Sequence, residues 1–226
     1  MSNRAWMAEV GFCAPHFCGV KCCQACRPSN LTSVLFLHTI KTGGSSVECA
    51  SRELEKRGVW VNMGHQRRPT DVEACTRACT FRGVRPRIVL SLREPYSYYV
   101  SLYQFMYAGA GGASTRLHFE PFMEHYVRTR GYAQSAVIAR ACGSPCRYDH
   151  LLHTETLTAD WEALIRATRL PLPRTLPRVN PAVFVRGVPP SIVFSRRVLQ
   201  IVDDVDDLMF TTFKYARRGL PFNATR

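Results

Sequence analysis

Lysine is nearly missing from this chain: four of its 226 residues, against 26 arginines. Acidic residues are scarce as well, 17 Asp and Glu facing 30 Lys and Arg, for a formal charge of +13. That deficit excludes a cationic partner as the first choice. It favours an anionic one: nucleotide, sulfated or carboxylated sugar, nucleic acid or membrane lipid. Arginine forks match carboxylate, phosphate and sulfate oxygens, although codon bias accounts for the excess equally well. No apolar run approaches the roughly 20 residues that cross a bilayer. Glu9, Pro15 and His16 interrupt the first twenty residues, which therefore do not read as a signal peptide. As written the chain reads as soluble, with a missing upstream exon as the alternative. It also lacks internal repeats. A composition of 46% hydrophobic and 21% charged residues is ordinary for a globular protein with a sizeable core.

Cysteine is plentiful. Ten occur, with Cys13, Cys18, Cys22, Cys23 and Cys26 crowded near the start and Cys75/Cys79 and Cys142/Cys146 spaced as close pairs. The first cluster matches no standard zinc-finger spacing. Disulfides in an oxidising lumen, a zinc site and free thiols all stay open. The sequons Asn30-Leu31-Thr32 and Asn223-Ala224-Thr225 are compatible with a secretory route and with glycosylation.

Short apolar runs at 33–38 and 87–92 read as buried strands, 59–62 as another and 148–152 as a fourth. Helices are expected over 45–57, 71–80, 95–105, 120–130, 158–168 and 195–215. The alternation predicts an α/β fold, one domain with a P-loop-like parallel central sheet flanked by helices. An irregular Cys-rich segment, 1–30, leads into the domain at 31–220, and a tail, 221–226, follows it.

The first apolar run leads into Thr39-Ile40-Lys41-Thr42-Gly43-Gly44-Ser45-Ser46. Glycines here let backbone N–H groups approach an anion, and a helix start adds unsatisfied donors. Lys41 supplies charge, and Ser45 and Ser46 supply hydroxyls. An ordinary strand-to-helix turn capped by Ser fits the same residues. A Walker A loop places Lys after its last Gly, whereas Lys41 precedes both glycines, which counts against a triphosphate hydrolase or kinase. After the second strong strand, Arg93 is followed eight residues later by Ser101 on the next expected helix. An Arg at the carboxyl end of a parallel strand lies where α/β sheets bind ligands.

The stretch Phe36-Leu37-His38-Thr39-Ile40-Lys41-Thr42-Gly43-Gly44-Ser45-Ser46 closely resembles the 5′-phosphosulfate loop of the carbohydrate sulfotransferases, approximately F-L-H-x-P-K-T-G-G-T-S, with Ile40 replacing the usual Pro. Arg93 and Ser101 match that family's 3′-phosphate element. Residues 145–161 resemble its Y-D-x5-E-T-L-x2-D stretch, and Asp206 to Tyr215 resemble its closing helix, so the resemblance spans roughly residues 33–216. It implies a sulfuryl transfer from 3′-phosphoadenylyl sulfate to a carbohydrate hydroxyl, with no metal. The implied donor-binding residues are Lys41, Thr42, Gly43, Gly44, Ser45, Ser46, Arg93 and Ser101. The implied partner is an anionic carbohydrate rather than nucleic acid. The implied place is the Golgi lumen or membrane, through an anchor this chain does not carry. Alternatives are an inactive polyanion- or glycan-binding relative and, less favoured, a P-loop kinase.

Transfer needs a base for the acceptor hydroxyl, and histidine suits neutral pH. His65, in Met63-Gly64-His65, resembles the Gly-His pair carrying the base in several relatives and is the expected catalytic residue beside Lys41. Glu48, His118 and Glu124 are fallbacks, and His38 reads as structural. Arg67 and Arg68, with Arg82, Arg85 and Arg116, are candidates for gripping an anionic acceptor, or they form a solvated face.

Overall fold

A computed structural model describes residues 31–64, 72–73, 75–76, 79–80, 83–107, 116–142, 146–179 and 192–218. The strands are β1 (Val34–His38), β2 (Trp60–Gly64), β3 (Arg87–Leu92) and β4 (His150–His153). The helices are α1 (Gly44–Lys56), α2 (Pro95–Tyr107), α3 (Phe119–Phe122), α4 (Gln134–Cys142), α5 (Leu157–Thr168), α6 (Arg196–Val205) and α7 (Asp207–Thr211). The chain divides into two compact units. One takes in the chain up to Leu92 and again Arg140–Pro181; the other takes in Arg93–Ala139 and Ala182–Arg226.

The first unit holds a four-stranded sheet in the order β2-β1-β3-β4, parallel throughout. The α/β expectation of a parallel sheet flanked by helices is met. Every residue of β1, Val-Leu-Phe-Leu-His, is buried, as required of a central strand covered on both faces. The register pairs Phe36 with Val89 and His38 with Ser91. Because side chains alternate along a strand, Val34, Phe36 and His38 share a face with Trp60, Val89, Ser91 and Leu152. Helices α1 and α5 bring Val47, Leu54, Trp161 and Leu164 into the same core cluster. The Trp60 and Trp161 rings meet edge to face at 6.1 Å, and Trp161 Nε1 donates to Pro173 O at 2.8 Å, which gives the buried indole its partner. The proline-spaced segment after α5 contributes Leu170 and Leu172 to this core.

Helix α1 closes through Gly58 at φ +70°, with Val59 N donating to Leu54 O at 2.9 Å. This left-handed exit turns the chain straight into β2. Beyond β2 the described residues between 72 and 80 are helical, as expected, and Thr76 Oγ1 donates to Val72 O at 2.8 Å. Cys49, Cys75, Cys79 and Cys146 are disulfide-bonded. The other cluster, Cys13 to Cys26, lies outside the described residues, as do both sequon asparagines.

The second unit is helical and aromatic. Tyr96, Tyr98, Tyr99 and Tyr103, consecutive or one turn apart on α2, are all buried, and Tyr103 meets the rings of Phe119 and Phe122 at 5.2 and 5.1 Å. Two sequence expectations need correction here. The helix expected over 120–130 runs as α3 and then widens into a π-helix, Met123–Thr129. The closing helix expected over 195–215 stops at Val205 and restarts at Asp207. The cause is Asp206, fully buried with φ −115°. Its carboxylate accepts the Tyr99 hydroxyl at 2.5 Å and the Ser135 backbone N–H at 2.7 Å. A buried carboxylate needs such donors, and reaching them takes residue 206 out of helical geometry. Helix α4, which carries Ser135, was not expected from the sequence.

Burial, followed by the adjacent Asp206 charge, holds the Tyr99 phenol well above the usual tyrosine range. Burial pushes the Asp206 carboxyl up, against the opposing pull of its hydrogen bonds from Tyr99 and Ser135. Tyr99→Phe leaves Asp206 short of a donor and is expected to cost about 1–3 kcal/mol in urea unfolding. A carboxyl whose folded pKa is raised favours the folded state most fully below its unfolded pKa of 3.8, and that contribution is lost as pH rises through the higher folded value. The stability difference between wild type and Asp206→Asn should therefore shift against wild type across that window. A pH-independent difference would remove Asp206 as the titrating group.

Candidate functional site

The turn from β1 into α1 puts a lysine in backbone that side chains rarely adopt. Lys41 sits at φ +66° and Gly43 at φ +77°, while Thr42 between them keeps the usual negative φ. Glycine adopts the left-handed region freely; for lysine it costs roughly 1–2 kcal/mol. Backbone of alternating hand turns successive N–H groups toward a common side and forms a concave seat for anions. Gly43 occupies the N-cap position of α1, with no side-chain cap bond and no acidic residue in the first turn. The positive end of this 13-residue helix thus follows directly on the turn.

The turn is held from beneath. Thr42 Oγ1 donates to Thr39 O at 2.7 Å, and Ser91 Oγ, from β3, donates to Thr42 O at 2.5 Å. Thr42 is fully buried, so its hydroxyl proton is committed to the turn and its backbone N–H is what it can offer a ligand. Ser46 Oγ accepts from Val179 N at 3.3 Å, which ties the first turn of α1 to the segment after Pro177. Ser45 is half-buried on the same turn. Each glycine also has a packing reason to be there. A Cβ on Gly44 would lie 2.2 Å from His38 Nδ1, and one on Gly43 2.8 Å from Leu157 Cδ2.

Lys41, Thr42, Gly43, Gly44, Ser45 and Ser46 all belong to the first unit, at the carboxyl end of β1. That is the edge of a parallel sheet at which α/β proteins bind ligands. Arg93 and Ser101 belong to the second unit. Arg93 directly precedes the first turn of α2, and Ser101 is half-buried two turns along that helix. Arg93 Nε donates to Ser97 Oγ at 3.1 Å. Its backbone is gripped in both directions by the fully buried Gln134: Arg93 N donates to Gln134 Oε1 at 3.0 Å, and Gln134 Nε2 donates to Arg93 O at 2.8 Å. Glu94 caps α2, accepting from Ser97 N at 2.7 Å and Tyr96 N at 3.3 Å. Sequence reasoning passed over all three supports. The Glu94-Pro95 pair is a legible helix start, whereas Gln134, 41 residues from Arg93, carries no local signal.

Of the other expected site residues, His65, Arg67, Arg68 and Arg82 lie outside the described residues. Arg85 is exposed, and exposed Arg116 stacks over Tyr107 at 5.6 Å. The fallback bases are engaged elsewhere or peripheral. Glu48 meets His38 Nε2 at 2.9 Å. Glu124 on the π-helix accepts from Arg197 Nε at 2.6 Å. His118 is exposed at the N-cap of α3. No protein-family model, curated protein or solved structure matches the chain.

Two substitutions separate strain from packing in the turn. Lys41→Asn, a residue that tolerates the left-handed region, should leave stability unchanged or raise it by about 1 kcal/mol. Gly44→Ala, forced against the His38 ring, should lower it by about 1–3 kcal/mol. Thermal unfolding reads both, and a marked loss for Lys41→Asn would show that the lysine side chain contributes more to stability than its backbone strain costs.

Proposed function

We propose that this chain is a sulfotransferase, moving a sulfuryl group from 3′-phosphoadenylyl sulfate to a hydroxyl of an anionic carbohydrate. The observation that carries the reading is the β1–α1 turn: Lys41 and Gly43 at positive φ, Gly44 opening α1, and that backbone coinciding with the stretch of sequence resembling a 5′-phosphosulfate loop. In this reading the turn amides and Lys41 take the 5′-phosphosulfate, and Arg93 and Ser101 are assigned the 3′-phosphate by the same resemblance. The acceptor oxygen attacks sulfur in line and His65 takes its proton. The bond from sulfur to the bridging oxygen breaks with its electron pair on that oxygen, leaving adenosine 3′,5′-bisphosphate. Catalysis is then positioning plus charge stabilisation, as in phosphoryl transfer. Lys41 and the amides offset charge growing on the leaving oxygen.

Four disulfide-bonded cysteines support an oxidising compartment, consistent with the proposed Golgi setting. Among the described residues no helix is long and apolar enough to cross a membrane. The net charge of +13 supports an anionic acceptor, with Arg67 and Arg68 proposed to grip it. That charge equally favours a relative that binds polyanions without chemistry, and turnover decides between the two.

Calorimetry should detect adenosine 3′,5′-bisphosphate binding without Mg²⁺, whereas a kinase prefers a Mg²⁺-bound triphosphate. Labelled donor should transfer sulfate to at least one member of a glycan panel. Lys41→Ala should lower turnover about 10²–10³-fold, the loss typical of one preorganised donor. Near-normal turnover in that variant would remove Lys41 from the mechanism. His65→Ala should lower turnover by about 10²–10⁴-fold and flatten the acid limb expected of the rate profile when a base must be deprotonated. Retained activity with the same pH dependence would assign the proton to another group.

A further inference from the structure

The sequence reading left His38 as a structural residue and Glu48 as a spare base, yet the two form one device beneath the turn. His38 ends β1 on the face that carries Phe36 and Ser91. Its ring stacks on Phe36, centroids 5.3 Å apart and planes 21° apart. Nε2 meets Glu48 Oε1 on α1 at 2.9 Å, and Nδ1 meets Thr39 O at 3.1 Å. Both partners are acceptors, so a neutral ring donates to one and an imidazolium to both. The other side of the ring is occupied by Gly44, where any Cβ would come within 2.5 Å of three ring atoms. Thr39 O, touched by Nδ1, is also the acceptor of the Thr42 hydroxyl. The ring therefore touches the end of β1, the first residue of the turn and the first residue of α1. Glu48 reaches it from one turn further along the helix.

We propose that the His38–Glu48 pair positions the anion-binding turn, fixing how far the N-terminus of α1 stands from the end of β1 and holding Lys41 and Gly43 in their left-handed conformations. This rests on the sulfotransferase reading for the identity of the anion. His38 and Glu48 are positioning residues: they act through the turn backbone and take no proton from the acceptor. The purpose of Gly44 follows from the same geometry, because the spacer between strand and helix is an imidazole ring, and only a residue without a side chain lies flat against it.

The test is calorimetric titration of the full chain with adenosine 3′,5′-bisphosphate, and separately with inorganic pyrophosphate. Wild type, Glu48→Ala, Glu48→Asp and Glu48→Gln are compared, with thermal unfolding of each. Glu48→Ala should weaken bisphosphate binding on the order of tenfold, the loss of one hydrogen bond to a charged group. The binding stoichiometry should stay unchanged. Glu48→Gln keeps an acceptor at the same reach and should recover to within about threefold of wild type. Glu48→Asp, one methylene short, should fall between them, and it keeps the comparison readable if the alanine variant unfolds. A merely structural pair would lower the unfolding temperature and the stoichiometry while leaving the affinity of the folded fraction untouched, and that result overturns the proposal. Wild-type affinity in both the Ala and Asp variants overturns it as well. If wild type itself binds pyrophosphate but not the bisphosphate, the donor reading fails while the positioning role is still read from the pyrophosphate series. If it binds neither, both fail.

Discussion

Burying β1 on both faces constrains everything around it. A strand with no exposed residue can present polar groups only at its ends, and in a parallel sheet the carboxyl end is where the chain must turn back over a helix. The turn at residues 39–43 is therefore both a folding requirement and the first place an anion can meet backbone amides. The polar side chains that β1 and β3 carry at this end, His38 and Ser91, point to the face of the turn because the register makes them partners. Both bond into it: Ser91 to Thr42 O, His38 to Thr39 O. A slip of one residue between these strands would place the two on opposite faces of the sheet.

Local structure alone explains the two glycines, Gly43 by its left-handed backbone and Gly44 by packing. Gly43 sits at φ +77° with the tip of Leu157 close by, and Gly44 faces the His38 ring with no room for a methyl group. A reader looking for a nucleotide site should discount them accordingly, since they would be required in a sheet that bound nothing. The same discount applies to Thr42, whose hydroxyl is spent inside the turn. What the turn itself offers a ligand is narrower than the sequence pattern suggests, chiefly backbone N–H groups and the helix end.

The sequence was informative wherever one local signal decided the structure. The unbroken apolar runs gave β1 and β3 to within a residue, the Gly-Gly-Ser turn gave the start of α1, and Pro95 placed the first turn of α2. It failed where a distant partner decided. The break at Asp206 depends on Tyr99, 107 positions away, and by helical periodicity alone Val202, Val205 and Met209 continue one apolar stripe. The π-register at Met123–Thr129 likewise has no pattern of its own in the sequence. Helix α4 opens on Gln134, whose side chain is turned to the Arg93 backbone and gives no capping signal. On the site itself, the turn residues were legible as a string, but their division into those that support the turn and those that could touch a ligand was not. The expected base, His65, and the acceptor arginines 67 and 68 fall outside the described residues and rest on the sequence alone.

Lys41 holds the costliest backbone conformation in the turn. The turn needs a left-handed residue at 41, and Gly or Asn would supply one at lower cost. This chain is, moreover, poor in lysine, with four against 26 arginines. A compact ammonium on a flexible stem, rather than a planar fork, is what a single developing oxyanion requires. Backbone strain at Lys41 is held in place by the buried supports beneath it, the Thr42 hydroxyl on Thr39 O and the Ser91 hydroxyl on Thr42 O.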